Sequence, residues 1–289
     1  MNTLQIWAYA TRPKTLVIGI SPVLIGTTLA LSQGVFNPTV FLFTLLTTLC
    51  IQIGTNLAND YFDFIKGSDT TERKGFMRVV QAGLVLPATM KKVVTAVFAI
   101  AILCGCYLIW IGGLPIAILL SLSIALGVLY TGGPFPLAYL GLGEIFAFLF
   151  FGPIAVLGTY YLQTGIFCKE ALIIGLSPGA FSMAILIINN VRDVDEDRLA
   201  SKKTIAVRLG RAFGKYLYLF SLLLTFFPLL FCYPDHPFVL VTLLTLFPAI
   251  PLMRTMLTHR DPRLLNPLFV KTGQLQGLFT LLFCIGWLL

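Results

Sequence analysis

The amino-acid sequence predicts an all-α, polytopic membrane protein with about nine transmembrane helices, and three observations lead there. First, 57% of the 289 residues are hydrophobic and only 11% are charged, against about 25% charged in an ordinary soluble domain. Second, apolar runs approaching the roughly 20 residues of a spanning helix recur along the whole chain. Third, the basic residues gather at alternate ends of those runs, as the positive-inside rule requires.

The first span, near 15–33, follows the polar and aromatic start "MNTLQIWAYATRPKTL", so no removable leader is expected. The second, near 38–57, contains "FLFTLLTTLCIQIGT" and runs into "NLANDYFDFIKGSDT". Spans three and four, near 93–112 and 114–131, end at the polar turn "YTGGPFPLAYLGLGE". Spans five and six, near 141–161 and 170–190, close on "NNVRDVDEDR". Spans seven to nine lie near 214–232, 237–254 and 266–289. Several carry Gly or Pro, which membrane helices tolerate. The chain reads as one domain, 1–289, with no soluble part and no low-complexity linker.

With the N-terminus inside, 18 of the 20 Lys and Arg fall on inside segments. This places the N-terminus and both acid-rich segments at the cytoplasmic face. Lys169 falls outside; Lys271 lies near the start of the last span, where it either snorkels to the interface, the favoured reading, or faces the cavity and meets an anionic group. The net charge of +8 suits an anionic membrane surface or an anionic substrate. Nucleic acid is not an expected partner, because the basic residues do not sit in a soluble domain. The six cysteines form no CxxC pair and read as small packing residues in a reduced setting.

Eight of the 12 Asp and Glu lie in two places, after spans two and six. Asn56, Asp60 and Asp63 are spaced i, i+4, i+7, and Asn189, Asp193 and Asp197 are spaced i, i+4, i+8. Each set shares a helix face. Asp69 follows in "KGSD", where Gly67 can turn the chain. Carboxylates at close range repel, so a cation belongs between them. Mg²⁺ takes one or two carboxylates plus substrate phosphates, which makes Asp60, Asp63, Asp69, Asp193 and Asp197 candidate metal ligands. The flanking Lys66, Arg73, Arg78, Arg192, Lys202 and Lys203 suit a diphosphate. Solvated ion pairing explains any single loop acid equally well; two helix-phased stripes at span ends argue for function. Of other classes, a transporter of a small organic anion could also use acids and amides in membrane helices. Its binding groups belong near mid-span, whereas both motifs here lie at one membrane edge.

"NLANDYFDFIKGSDT" and "NNVRDVDEDRLASKKTIAVRLG" resemble the two Asp-rich signatures of the UbiA-type membrane prenyltransferases. "ATRPKTL", "MRVVQAGLV", "YTGGPFPLAYLGLGE" and "FFGPIAVLGTYYLQTG" extend the resemblance, in the same order, over nearly the whole chain. They resemble the naphthoate branch of menaquinone biosynthesis rather than the 4-hydroxybenzoate branch. The resemblance implies nine helices around a central cavity in the plasma (inner) membrane, capped on the cytoplasmic side. It also implies a Mg²⁺ cofactor, a polyprenyl diphosphate donor and 1,4-dihydroxy-2-naphthoate as acceptor, prenylated with loss of its carboxylate. Asn56, Asp60 and Asp63 would form the core of the first motif, closed by Asp69. Asn190, Asp193 and Asp197 match the second. Arg78 holds the basic position after the first motif, and Lys202 or Lys203 the one after the second. "MRVVQAG" departs from the proline-containing segment of other branches, which bears on substrate detail and not on reaction class.

Arg12 or Lys14 could steer the acceptor carboxylate, with Asn189 and Asn190 on the acceptor side. Tyr61, Phe62, Tyr160 and Tyr161 could face an allylic cation, although interfacial anchoring is the better reading of Tyr160 and Tyr161. His236 and His259 lie outside the motifs.

Overall fold

The computed structural model describes residues 2–68, 74–259 and 261–289. Asp69 and Arg73, two of the candidate site residues, lie outside the described residues. The α-helices, in order, are α1 Thr3–Ala10, α2 Leu16–Ser32, α3 Pro38–Ile65, α4 Pro87–Leu129, α5 Leu137–Leu140, α6 Gly143–Phe150 and α7 Pro153–Thr164. They continue with α8 Lys169–Ile174, α9 Leu176–Arg192, α10 Val194–Leu199, α11 Ile205–Leu224, α12 Leu229–Cys232, α13 Leu246–Thr258 and α14 Leu265–Leu288. Short 3-10 turns precede α2, α13 and α14, and no strand occurs among the described residues.

Eight helical stretches among the described residues are long and apolar enough to cross a membrane. The ninth expected span is inside α4. A helix of 43 residues would be about 65 Å long at 1.5 Å per residue, twice the roughly 30 Å of a bilayer core. The chain reverses at Gly113, whose φ of 65° and ψ of −152° suit a residue without a Cβ. A Cβ on Gly105 would lie 3.0 Å from Leu120, and one on Gly127 would lie 3.8 Å from Phe98. These two pairings define an antiparallel hairpin with its apex at Gly113. Spans three and four are its two arms.

The first motif is helical from Asn56 through Asp63. The second span was expected to end near residue 57, yet α3 continues to Ile65. Asn37 caps its start by accepting from the Thr39 and Val40 N–H groups, with Pro38 at the first position. Beyond its end Gly67 turns the chain with φ of 65°. The second motif straddles a joint. α9 ends at Arg192, Asp193 forms the junction and α10 begins at Val194. The i→i−4 bonds nevertheless continue through it, from Asp193 to Asn189 and from Asp197 to Asp193.

α9 is the innermost helix, with Ala184, Ile185, Ile187, Ile188 and Val191 all buried. Around it, Ile25 of α2, Val156 of α7, Tyr218 of α11 and Phe279 of α14 complete the main core. Leu103, Trp110, Leu230 and Phe247 point outward, as lipid-facing side chains do. The motif ends of α3 and α9 emerge on one side of this bundle.

Candidate active site

A cavity of about 700 Å³ opens at that side. Asn56, Asn59 and Asp63 of α3 line it, as do Asn189, Asn190 and Arg192 of α9 and then Asp193, Glu196 and Asp197. α1, the turn at 12–14, the segment from Phe76 to Arg78 and Lys202 contribute further polar wall. Other parts of the lining are apolar: Ile18, Phe151, Ile185, Leu186 and Phe269. Thr55, Tyr130, Ala147 and Phe151 also line a second cavity of about 160 Å³, walled by groups such as Leu108, Ile116 and Leu162. A charged head space therefore adjoins a greasy annex.

The α3 residues take separate partners. Asn56 Nδ2 donates to the Thr11 carbonyl and to Thr15, tying the N-terminal segment to α3. Asp60 accepts from the backbone N–H groups of Val79 and Val80 and is not part of the cavity lining. Asp63 faces the cavity and holds two cations, Arg78 at 2.9 Å and Lys202 at 3.1 Å. Burial works against the Lys202 ammonium, but the Asp63 and Asp197 carboxylates overcome it and raise its pKa above that of an ordinary lysine. Removing one partner from such a buried set costs about 3–5 kcal/mol, because the rest is left uncompensated.

The second motif presents its acids to the cavity and braces the segment above it. Arg192 grips its neighbour Asp193 with two bonds of 2.6 and 2.8 Å and donates to Asn266 Oδ1 at 2.8 Å. Asn266 in turn donates to the Lys74 carbonyl. A Cβ on Gly75 would lie 2.6 Å from the Arg192 guanidinium, so the chain at Gly75 lies directly on that group. Glu196 accepts from the Lys74 N–H, and Asp195 pairs with Lys74 and Arg211. These bonds close the 74–78 segment over the cavity.

Among the described residues two non-glycines adopt left-handed backbone, Arg12 with φ of 52° and Ser201 with φ of 57°. Such conformations cost about 1–3 kcal/mol and collect at functional sites. Arg12 lines the cavity and Ser201 precedes Lys202, which also lines it. Strain falls where cations are aimed inward.

Among the described residues five cations, Arg12, Lys14, Arg78, Arg192 and Lys202, line the cavity against four carboxylates, Asp63, Asp193, Glu196 and Asp197. A wall of slight positive charge suits an anion that arrives with its own cation. Among the described residues no three His, Cys, Asp or Glu side chains gather as a ready-made metal cage. Asp63 on one wall and Asp193 and Asp197 on the other offer hard oxygen donors that fit Mg²⁺ shared with substrate phosphates.

Other candidates sit elsewhere. Lys66 Nζ donates to the carbonyls of Thr131 and Gly133, outside the lining, and burial lowers its pKa. Lys203 is exposed, so of the two lysines only Lys202 reaches the cavity. Tyr161 donates to Gly112 at the opposite end of the bundle and Tyr160 to Gln33; Tyr61 packs against Phe62 away from the lining. Among the described residues the aromatic rings at the cavity are Tyr9, Phe76, Tyr130, Phe151 and Phe269. Lys271 is exposed and outside it. His259 bonds the Met256 carbonyl, and His236 stacks on Trp287.

Sequence reasoning missed Asn59, Tyr130, Tyr139, Glu144 and Asn266. Asn59 accepts from Thr131 and lines the cavity; its i, i+4 spacing to Asp63 was a usable signal, masked by the identical spacing of Asn56 and Asp60. Tyr139 carries Lys66 and Lys202 over its ring at 5.0 and 5.3 Å, and its hydroxyl bonds Ser68.

The model of the UbiA prenyltransferase family matches residues 19–285. The chain is 35% identical to 1,4-dihydroxy-2-naphthoate octaprenyltransferase of Escherichia coli, over 99% of this chain and 96% of that one. It is 37% identical to the Mycobacterium tuberculosis protein described in the same words, over 75% and 74% of the two chains. A solved structure of a UbiA homolog from Archaeoglobus fulgidus bound to GPP and Mg²⁺ superposes with a TM-score of 0.63 at 14% identity, over 96% of this chain and 99% of that one. That likeness concerns the fold.

Proposed function

The chain belongs to the UbiA prenyltransferase family, and from that premise we propose that it transfers a polyprenyl group from polyprenyl diphosphate to 1,4-dihydroxy-2-naphthoate in menaquinone biosynthesis. The ring loses its carboxylate as CO₂. The observation that carries this reading is the cavity itself, a head space lined by both cations and carboxylates that adjoins apolar space. A diphosphate with a lipid tail has that distribution of charge and grease.

Arg78 and Lys202 face the diphosphate oxygens and neutralise them as the allylic C–O bond breaks. Arg12 and Lys14 stand at the mouth, where they meet the acceptor carboxylate or the outer phosphate. Asp63, Asp193 and Asp197 would hold Mg²⁺, which when bound supplies Lewis-acid stabilisation of the leaving diphosphate. Ile18, Phe151, Ile185 and Phe269 keep water from the allylic carbon, and the Tyr130 and Phe151 rings offer it aromatic faces. The electron-rich acceptor ring then forms the new C–C bond. The whole of 1–289 works as one unit in the plasma (inner) membrane, with both motifs at the cytoplasmic face, in keeping with the distribution of Lys and Arg.

Purified protein with Mg²⁺, labelled polyprenyl diphosphate and 1,4-dihydroxy-2-naphthoate should give a lipid-soluble product whose mass is short by one CO₂. No product with this acceptor, with a dihydroxynaphthoate isomer or with 4-hydroxybenzoate would overturn the enzyme reading. Product only with one of the others would reassign the acceptor.

A further inference from the structure

One buried acid takes no part in the assignments above. Glu144, in the first turn of α6, is 2% exposed, and no Lys, Arg or His pairs with it among the described residues. Its side-chain partner is Asn190, whose Nδ2 donates to Glu144 Oε1 at 2.7 Å. An unpaired carboxylate is expensive to bury, and an apolar residue would fill the place at lower cost. Placement at the start of α6 returns a little through the helix dipole, but does not explain why Glu144 is aimed at Asn190.

The consequence lies with the amide. A carboxylate only accepts, so Glu144 fixes which end of Asn190 it binds. Nδ2 is held, and Oδ1 makes no hydrogen bond among the described residues. Asn190 lines the cavity. Its neighbour Asn189 lines the cavity too, and its Oδ1 is buried without a hydrogen-bond partner. At 1.5 Å per residue these two amides lie about 4–6 Å along α9 from Asp193, on the side away from the cytoplasmic end. Tyr130 completes the corner. A Cβ on Gly143 would lie 3.1 Å from the Tyr130 hydroxyl, and Tyr130 lines both cavities. The buried, unpartnered Asn189 Oδ1 and the Asn190 Oδ1 beside it, open to the cavity and without a protein partner among the described residues, suit a ligand that donates twice.

We propose that Glu144 is a positioning residue that holds Asn190 with Oδ1 toward the cavity, so that Asn189 and Asn190 accept hydrogen bonds from the two hydroxyls of the aromatic acceptor. The inference rests on the prenyl-transfer reading and adds to it the basis of selection for a ring carrying two hydroxyl groups. A site built to hydrogen-bond a hydroxyl rejects analogues that lack it far more strongly than an apolar pocket rejects a size change.

The test uses the full-length protein in lipid nanodiscs. Steady-state kinetics are measured for both substrates, together with inhibition by naphthalene-1,4-diol and by 1,4-dimethoxynaphthalene, which cannot donate. The wild type should favour the diol by about tenfold or more, the worth of one hydrogen bond or better. Glu144→Leu should raise the acceptor KM about tenfold, leave the polyprenyl diphosphate KM within about twofold, and cut the preference for the diol to the part that Asn189 alone supports. Glu144→Gln, whose carbonyl can still accept from Nδ2, should restore most of the acceptor KM. A loss confined to kcat, equal rises in both KM values, or an intact preference in Glu144→Leu would overturn the proposal. Should Glu144→Leu not fold, Asn190→Leu removes the same oxygen, and a diol preference undiminished in it overturns the proposal equally. A wild type that prenylates no aromatic acceptor refutes the function, a separate outcome.

Discussion

On α3, Asp60 and Asp63 stand less than one turn apart and serve different neighbours; after α9, Asp193, Glu196 and Asp197 all face one cavity. The difference follows from phase. At about 100° per residue, Asp63 lies about 20° to one side of Asn56 and Asn59 about 60° to the same side, while Asp60 lies about 40° to the other. The cavity sees Asn59 and Asp63. Asp60 sees the turn at Val79 and Val80 and holds it in the position from which Arg78 reaches Asp63. One motif thus divides into a cavity acid and a clamp, and the other keeps its acids together and uses Arg192, Asp195 and Glu196 for bracing. Identical spacing in the sequence does not mean identical work.

The largest effect should come from setting the cavity acid against the clamp. Asp63→Asn removes the carboxylate that faces both Arg78 and Lys202, and kcat should fall at least about 100-fold, the scale seen when one preorganised electrostatic group is lost. Asp60→Asn keeps an oxygen that can accept from Val79 or Val80, and the loss should stay within about tenfold. Both are read in the same prenyl-transfer assay on folded protein. Equal losses would mean that Asp60 reaches the reacting groups, and the division of α3 into two roles would fail.

A smaller effect sharpens the clamp role through stability. Asp60→Ala leaves the Val79 and Val80 N–H groups without their acceptor, worth about 2 kcal/mol. Thermal unfolding in nanodiscs should show a lower midpoint for Asp60→Ala, with Asp60→Asn recovering most of it. An unchanged midpoint in Asp60→Ala would show that the turn is held by other means.

Much of this was legible in the sequence because membrane helices announce themselves by length and apolarity. The nine spans fall close to the observed ones, and even the hairpin at Gly113 was visible as two adjacent runs. The acids were legible as a group for the same reason, being costly in an apolar chain. Their division was not, because it depends on where 74–80 folds back onto α3. Lys66 and Lys203 read like diphosphate ligands, but the turn at Thr131–Gly133 captures the first and the second faces away from the cavity. Glu144 sat in a quoted motif with its role invisible, since its meaning comes from Asn190, 46 positions along the chain. Asn266 carries no local signal; only the tertiary fold brings it between Arg192 and Lys74.

The smallest effect belongs to the outermost acid of the second motif. Asp195 pairs with Arg211 at 2.6 Å and with Lys74 at 3.1 Å, and its side chain is half exposed. Arg211 first, then Lys74, hold its pKa below the ordinary 3.8. A depressed carboxylate contributes stability above its unfolded pKa and loses it as pH falls through the lower folded value. The contribution is therefore complete at neutral pH and disappears only in strong acid. Exposed pairs are worth about 0.2–1 kcal/mol and are screened by salt. Asp195→Asn should lower the unfolding midpoint slightly at low salt and neutral pH, match the wild type at about 1 M salt, and leave kcat within about twofold. Asp195 fastens the 74–78 segment from outside, so a large loss of activity that persists in high salt would show it reaching the cavity. The second motif would then carry one more working acid, and the contrast with α3 would be steeper than its geometry indicates.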